Sequence, residues 1–204
     1  PANRGADPHP ECIERGGSGL LRLIRGRGMS LFYAILHGQT DWNVQGLLQG
    51  RVDTELNATG REQAEQARAL FAAADIDRII VSPKRRCLTT MEILCEGLDL
   101  PFEIDERLVE RSFGDFEGQY RDDIAPKGQN VPDLPSVEPW ADVKKRAHHA
   151  VMDALECYPG QRLCFITHGG FLSALGEALT TQCRRIPNAT LLRFERVGFE
   201  WRRE

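Results

Sequence analysis

Apolar residues fall along this chain in two kinds of pattern. Short unbroken runs stand at Phe32 to Leu36, Ile79 to Val81 and Leu163 to Ile166. Runs without polar alternation suit strands covered on both faces. Between them the apolar positions recur at helical spacing. Ala64, Ala67, Phe71 and Ala74 mark one helix, opened by Asn57-Ala58-Thr59-Gly60. Trp140, Val143, Ala147, Val151 and Leu155 mark a longer helix that stops before Pro159-Gly160. Ser82-Pro83 reads as another helix start, with Ser as the cap and Pro in the first turn, and Gly97 as the stop. Pro101 to Asp105 is a weak strand. Thr190 to Arg196 and Phe199 to Arg203 form a hairpin turning at Gly198. Strands alternating with helices predict an α/β fold, a three-layer sandwich with a mostly parallel central sheet and helices on both faces.

Two of the predicted strands end alike. Phe32 to Leu36 leads into His37-Gly38-Gln39-Thr40, and Leu163 to Thr167 leads into His168-Gly169-Gly170. Ligands of open α/β sheets sit beyond the carboxyl ends of the strands. If these two strands are parallel neighbours, His37 and His168 converge there. Gly38 permits a sharp turn or a close backbone approach, and the polar run after it reads as a binding loop.

Composition narrows the class. The chain has 204 residues, 41% hydrophobic and 27% charged, which suits a globular domain over residues 29–204. Residues 1–28 are rich in Gly, Pro and Arg, lack periodicity and predict a weakly ordered extension or a basic arm. Their Leu20 to Ile24 run is too short for a signal-peptide core. Residues 119–139, polar and carrying four prolines, predict a small irregular cap. A net charge of −4 gives no nucleic-acid footprint, and no apolar run approaches a membrane span. Six cysteines without a C-x-x-C pair read as reduced thiols, hence a cytoplasmic protein.

A histidine at a strand tip can be a nucleophile, a base, a metal ligand or a core residue. No H-x-x-x-H spacing supports a metal, and none is expected. Phosphoryl chemistry fits better, because a phosphate dianion needs fixed cations and donors. Arg86 falls in the first turn of a helix following a strand, where free N–H groups favour anions; it reads equally well as a surface arginine beside Lys84 and Arg85. Gly169 and Gly170 open a second such helix. Glu110 is a candidate proton donor or a solvated loop charge.

Taken in order, these residues resemble the histidine phosphatase superfamily, the phosphoglycerate-mutase-like proteins. The family's opening R-H-G-[EQ]-T stands here as Leu36-His37-Gly38-Gln39-Thr40, continued by Asp41-Trp42-Asn43, Gln49-Gly50 and Asp53-x-x-Leu56-Asn57-x-x-Gly60. Ser82-Pro83-x-x-Arg86, Leu108-x-Glu110-x-x-Phe113-Gly114-x-x-Glu117-Gly118 and Thr167-His168-Gly169-Gly170 match its later motifs. The resemblance implies that His37 takes the phosphoryl group as a phosphohistidine. Glu110 would protonate the leaving oxygen, and Arg86 and His168 would hold the phosphate. Gly38, Gln39, Asn43, Gln49, Gly50 and Gly169 would complete the phosphate pocket. No cofactor is implied, and the expected partner is a small phosphorylated metabolite.

One position departs from the pattern. Residue 36 is leucine where the family has a phosphate-gripping arginine. Losing one charge-assisted contact costs about 1.5–3 kcal/mol, roughly ten- to a hundredfold in rate. Arg51 and Arg111 lie in loops from which a substitute could come. The resulting expectation is a phosphomonoesterase, slowed by Leu36. The alternatives are an impaired relative that binds phosphorylated ligands or a protein partner, and a mutase. Mutases of the family carry a longer insertion between the acid loop and the second histidine.

Overall fold

A computed structural model describes residues 31–125, 129–180, 186–198 and 200–203. The expectations for residues 1–28, Cys12 and Cys183 lie outside them. Six strands form one sheet: β1 (Leu31–Leu36), β2 (Arg78–Val81), β3 (Phe102–Ile104), β4 (Leu163–Thr167), β5 (Leu191–Val197) and β6 (Glu200–Arg203). Their order is β3-β2-β4-β1-β5-β6, with β3, β2, β4 and β1 parallel and the β5–β6 hairpin antiparallel at one edge.

Apolar residues cover both faces of this sheet, which is why its central strands read without alternation. On one face Phe32, Ala34, Leu36 and Phe165 pack against α5 (Trp140–Cys157) and α6 (Gly169–Thr180) through Ala147, Val151, Phe171 and Leu175. Phe32 stacks on Phe194 at 4.7 Å between ring centroids. On the other face Ile35, Ile79, Val81 and Ile166 meet α2 (Ala58–Ala73) and α3 (Arg85–Leu94) through Ala67, Phe71, Met91 and Leu94. The result is the three-layer α/β sandwich that the periodicity predicts.

Helix starts follow local chemistry, with two departures from the sequence reading. Asn57 caps α2, its Oδ1 accepting the Gly60 N–H at 2.8 Å. Ser82 does not cap α3. That helix begins at Arg85 with Lys84 as its N-cap, because the Ser82 hydroxyl is engaged by His168 instead. The polar run after Gly38 is also more ordered than a loop. Thr40 and Asn43 form a reciprocal capping box that starts the short α1 (Asp41–Gln45). Among its described residues, the cap segment is irregular apart from α4 (Arg121–Ile124).

Gly38 is required by a close approach. A Cβ there would stand 2.3 Å from the Gly60 carbonyl oxygen, and a Cβ on Gly60 would stand 2.0 Å from the Gln39 carbonyl oxygen. The loop after β1 thus lies backbone to backbone on the first turn of α2. Backbone cannot swing aside as a side chain can. Gly38→Ala is therefore expected to destabilise the fold by about 3 kcal/mol, the upper end of overpacking costs, read as a lowered urea midpoint.

Candidate active site

The parallel register of β1 and β4 places Leu36 opposite Thr167, so His37 and His168 leave the sheet side by side. Their ring centroids are 5.3 Å apart, at an interplanar angle of 63°. The His37 N–H donates to the Thr167 carbonyl at 3.1 Å. Its Nδ1 lies 2.8 Å from the Gly38 carbonyl oxygen, an acceptor only, so Nδ1 carries the proton. Nε2 is left with its lone pair. Burial, reinforced by the Arg86 charge and opposed by the Gly38 hydrogen bond, pushes the imidazole from its ordinary 6.5 down to about 3. A ring held neutral in this way is a nucleophile throughout the physiological range.

His168 is fully buried, with Arg86, Ser82 and Cys87 against its ring nitrogens. Arg86 Nε donates to its Nδ1 at 3.2 Å, so Nε2 bears the hydrogen and donates to Ser82 Oγ at 2.7 Å. Burial, then the charges of Arg86, His37, Lys84 and Arg146, hold it well below the ordinary histidine value. Arg86 is itself fully buried, and burial lowers its guanidinium from the usual range. Nη1 donates to the Val52 carbonyl at 2.8 Å and Nη2 to the Gly50 carbonyl at 2.9 Å. Lys84 Nζ takes the intervening Arg51 carbonyl at 2.5 Å. Two cations thus hold three consecutive carbonyls beside the histidine pair. Arg86 is therefore not the surface arginine that the sequence also allowed.

Glu110 sits at the opening of α6. The Gly170 N–H donates to Oε2 at 3.0 Å and the Arg111 N–H to Oε1 at 2.8 Å. A Cβ on Gly170 would stand 2.3 Å from Oε1. Gly170 therefore makes room for the carboxylate, which occupies one of the N–H groups expected to be free for an anion.

The remaining candidate residues ring this centre, several with bonds of their own. The Gln39 N–H donates to Gln63 Oε1 at 3.0 Å, and Gln39 Oε1 accepts from Asn57 at 3.2 Å. The Gly38 N–H donates to Thr90 Oγ1 at 3.0 Å. Gln49 Oε1 accepts from Thr54 at 2.6 Å. Gly50 presents its carbonyl to Arg86, and Glu117 packs where its Cβ would be. Asn43 Oδ1 accepts from Thr40, while Gly169 begins α6 with open space on its Cβ side.

The two candidate substitutes for the missing arginine, Arg51 and Arg111, are both bonded elsewhere. Leu36 is 6% exposed and belongs to the core cluster against α5 and α6. The Arg111 guanidinium is buried against the carbonyls of Glu138 and Val131 and pairs with Asp133 at 2.5 Å, tying the cap to the acid loop. Arg51 pairs with Glu138 at 3.2 Å. The sequence reading also passed over Ser82 as the partner of His168, Thr90 beneath Gly38, and Asn188, whose side chain reaches the His37 carbonyl. Ser82 and Thr90 carried a signal, their fixed spacing from Arg86 in Ser82-Pro83-x-x-Arg86-Cys87-x-x-Thr90.

The buried neutral imidazoles set a pH dependence. Unfolded, they bind protons near 6.5, while folded His37 does so only near 3. Stability is then fully present above pH 6.5 and falls as pH drops from 6.5 towards 3. Urea midpoints should decline over that window, and more gently in His37→Ala. Identical slopes would contradict the assignment.

Comparison with known proteins agrees with this geometry. The sequence profile of the histidine phosphatase superfamily, branch 1, matches residues 32–202. An uncharacterized phosphatase PhoE of Bacillus subtilis (strain 168) is 31% identical over 181 residues, 85% of this chain and 92% of that protein. A probable phosphoglycerate mutase GpmB of Cronobacter sakazakii is 31% identical over 153 residues, 70% of this chain and 71% of that one. The solved structure of a mycobacterial glucosyl-3-phosphoglycerate phosphatase with VO3 superimposes with a TM-score of 0.77 at 28% identity, covering 86% of this chain and 97% of that one. Among the described residues no helix is long and apolar enough to cross a membrane. With its paired histidines, buried arginine and matching profile, the chain belongs to the histidine phosphatase superfamily.

Proposed function

We propose that this protein hydrolyses phosphomonoesters of small metabolites through a phosphohistidine on His37, without a cofactor. One observation carries the reading: the Nδ1 proton is fixed on the Gly38 carbonyl, which leaves Nε2 of a neutral ring as the attacking atom. In the first step Nε2 bonds to phosphorus, the ester P–O bond breaks, and Glu110 gives its proton to the departing oxygen. In the second step water attacks the phosphohistidine, Glu110 takes the water's proton, and His37 and inorganic phosphate are restored. Arg86 and His168 stabilise the phosphoryl oxygens.

Relatives named for phosphatase activity support this reading. The buried apolar Leu36 favours a second one, a protein that binds phosphorylated ligands and turns them over poorly or not at all. The two separate on a panel of phosphomonoesters assayed for phosphate release. Phosphoglycerate and glucosyl-3-phosphoglycerate, drawn from the relatives' names, come first, beside a generic aryl phosphate. Release from any of them establishes hydrolysis. Binding without release establishes the second reading, and an isomerised phosphoglycerate would mark a mutase.

A further inference from the structure

Residues 187–190, between α6 and β5, belong to no motif noted in the sequence, yet they hold the tip of β1. Strand pairing between β1 and β5 stops at Ile35–Leu191. Beyond it, the Leu36 N–H donates to the Thr190 carbonyl at 3.4 Å, and the Ala189 N–H donates to the Leu36 carbonyl at 2.9 Å. Ala189 does so from a left-handed conformation, φ +53°, that a residue with a Cβ adopts only under constraint. Its neighbour Asn188 then reaches the site itself. Asn188 Nδ2 donates to the His37 carbonyl at 2.9 Å and lies 3.4 Å from Asn43 Oδ1.

Those two contacts fall on two groups that the phosphatase reading needs. The His37 carbonyl begins the peptide that leads to Gly38, whose own carbonyl fixes the Nδ1 proton. With β4 holding the His37 N–H on one side, and Asn188 at 2.9 Å with the longer Ala189 N–H at 3.3 Å holding the carbonyl on the other, the nucleophile's backbone is clamped across the strand tip. Asn43 Oδ1 already accepts from the Thr40 N–H and hydroxyl, both at 3.1 Å. A third donor there leaves the amide nitrogen as the end available to an anion.

We propose that Asn188 is a positioning residue for phosphoryl transfer, aligning the His37 backbone and the Asn43 amide at once. The inference rests on the phosphatase reading, so turnover of an aryl phosphate and affinity for inorganic phosphate are measured together, in wild type, Asn188→Ala and Asn188→Asp. The aspartate keeps the size of the side chain but has no N–H to give the carbonyl. Both variants should lose about tenfold in kcat, the scale of one hydrogen bond left unmade, and should bind phosphate more weakly through Asn43. A purely structural role would lower the thermal midpoint and leave kcat of the folded protein alone. Unchanged kcat and unchanged phosphate affinity in folded Asn188→Asp overturn the inference. If wild type releases no phosphate, the phosphatase reading fails separately, and the phosphate affinities of the variants decide the role of Asn188.

Discussion

His37→Ala is expected to lower phosphate release by roughly three orders of magnitude or more, the scale seen when a covalent nucleophile is removed. The affinity for inorganic phosphate should survive. The two effects separate because the His37 ring donates its hydrogen bond to the adjacent Gly38 carbonyl and meets His168 through a ring contact, not a hydrogen bond. The Arg86–His168–Ser82 chain and the Arg86 bonds to Gly50 and Val52 do not pass through it. Alanine also relieves the fold of an imidazole that cannot protonate until about pH 3. Loss of turnover with phosphate binding retained therefore assigns His37 to the covalent step. Equal rates for wild type and variant would leave only a ligand-binding protein.

The second large effect runs in the opposite direction. Leu36→Arg is expected to raise kcat/KM by roughly ten- to a hundredfold, the value of a charge-assisted contact restored in the transition state. The structure strengthens this expectation, because the two candidate substitutes are committed elsewhere. Arg111 is buried against the cap carbonyls and Asp133, and Arg51 pairs with Glu138. The gain has a cost in stability. Leu36 packs in the α5–α6 core, and the fields of Arg86, Lys84 and Arg146 already reach His168. A longer, charged side chain there should destabilise the fold by about 1–3 kcal/mol. Urea midpoint and kcat/KM should thus move in opposite directions. No gain in rate would mean that another cation already serves the phosphate, and Lys84, bonded to the Arg51 carbonyl, is the one to mutate next.

How far the sequence alone reaches depends on the range of the interaction. Unbroken apolar runs identified β1, β2 and β4, because burial on both faces leaves a local pattern. Helical spacing identified α2 and α5 for the same reason. The meeting of His37 and His168 followed from two strands ending in the same residues. Ser82 was misassigned as a cap because its true partner lies 86 residues away. The capping box at Thr40 and Asn43 is local, but both residues also read as loop polar groups. Asn188 read only as part of the Pro187-Asn188 lead into the hairpin, since its contact depends on a loop folding back 151 residues onto a carbonyl, which any residue possesses. Leu36 shows the converse: one letter in a motif announced a missing charge, and only the structure shows where the side chains of Arg51 and Arg111 are bonded.

The covalent intermediate offers the most direct test. The protein is mixed with an aryl phosphate labelled on phosphorus, quenched in alkali within the turnover time and digested, and the labelled peptide is mapped. The account predicts an acid-labile, base-stable phosphate on the peptide containing His37, absent from His37→Ala. Steady release of phosphate with no label on that peptide, or with label on another residue, would contradict it.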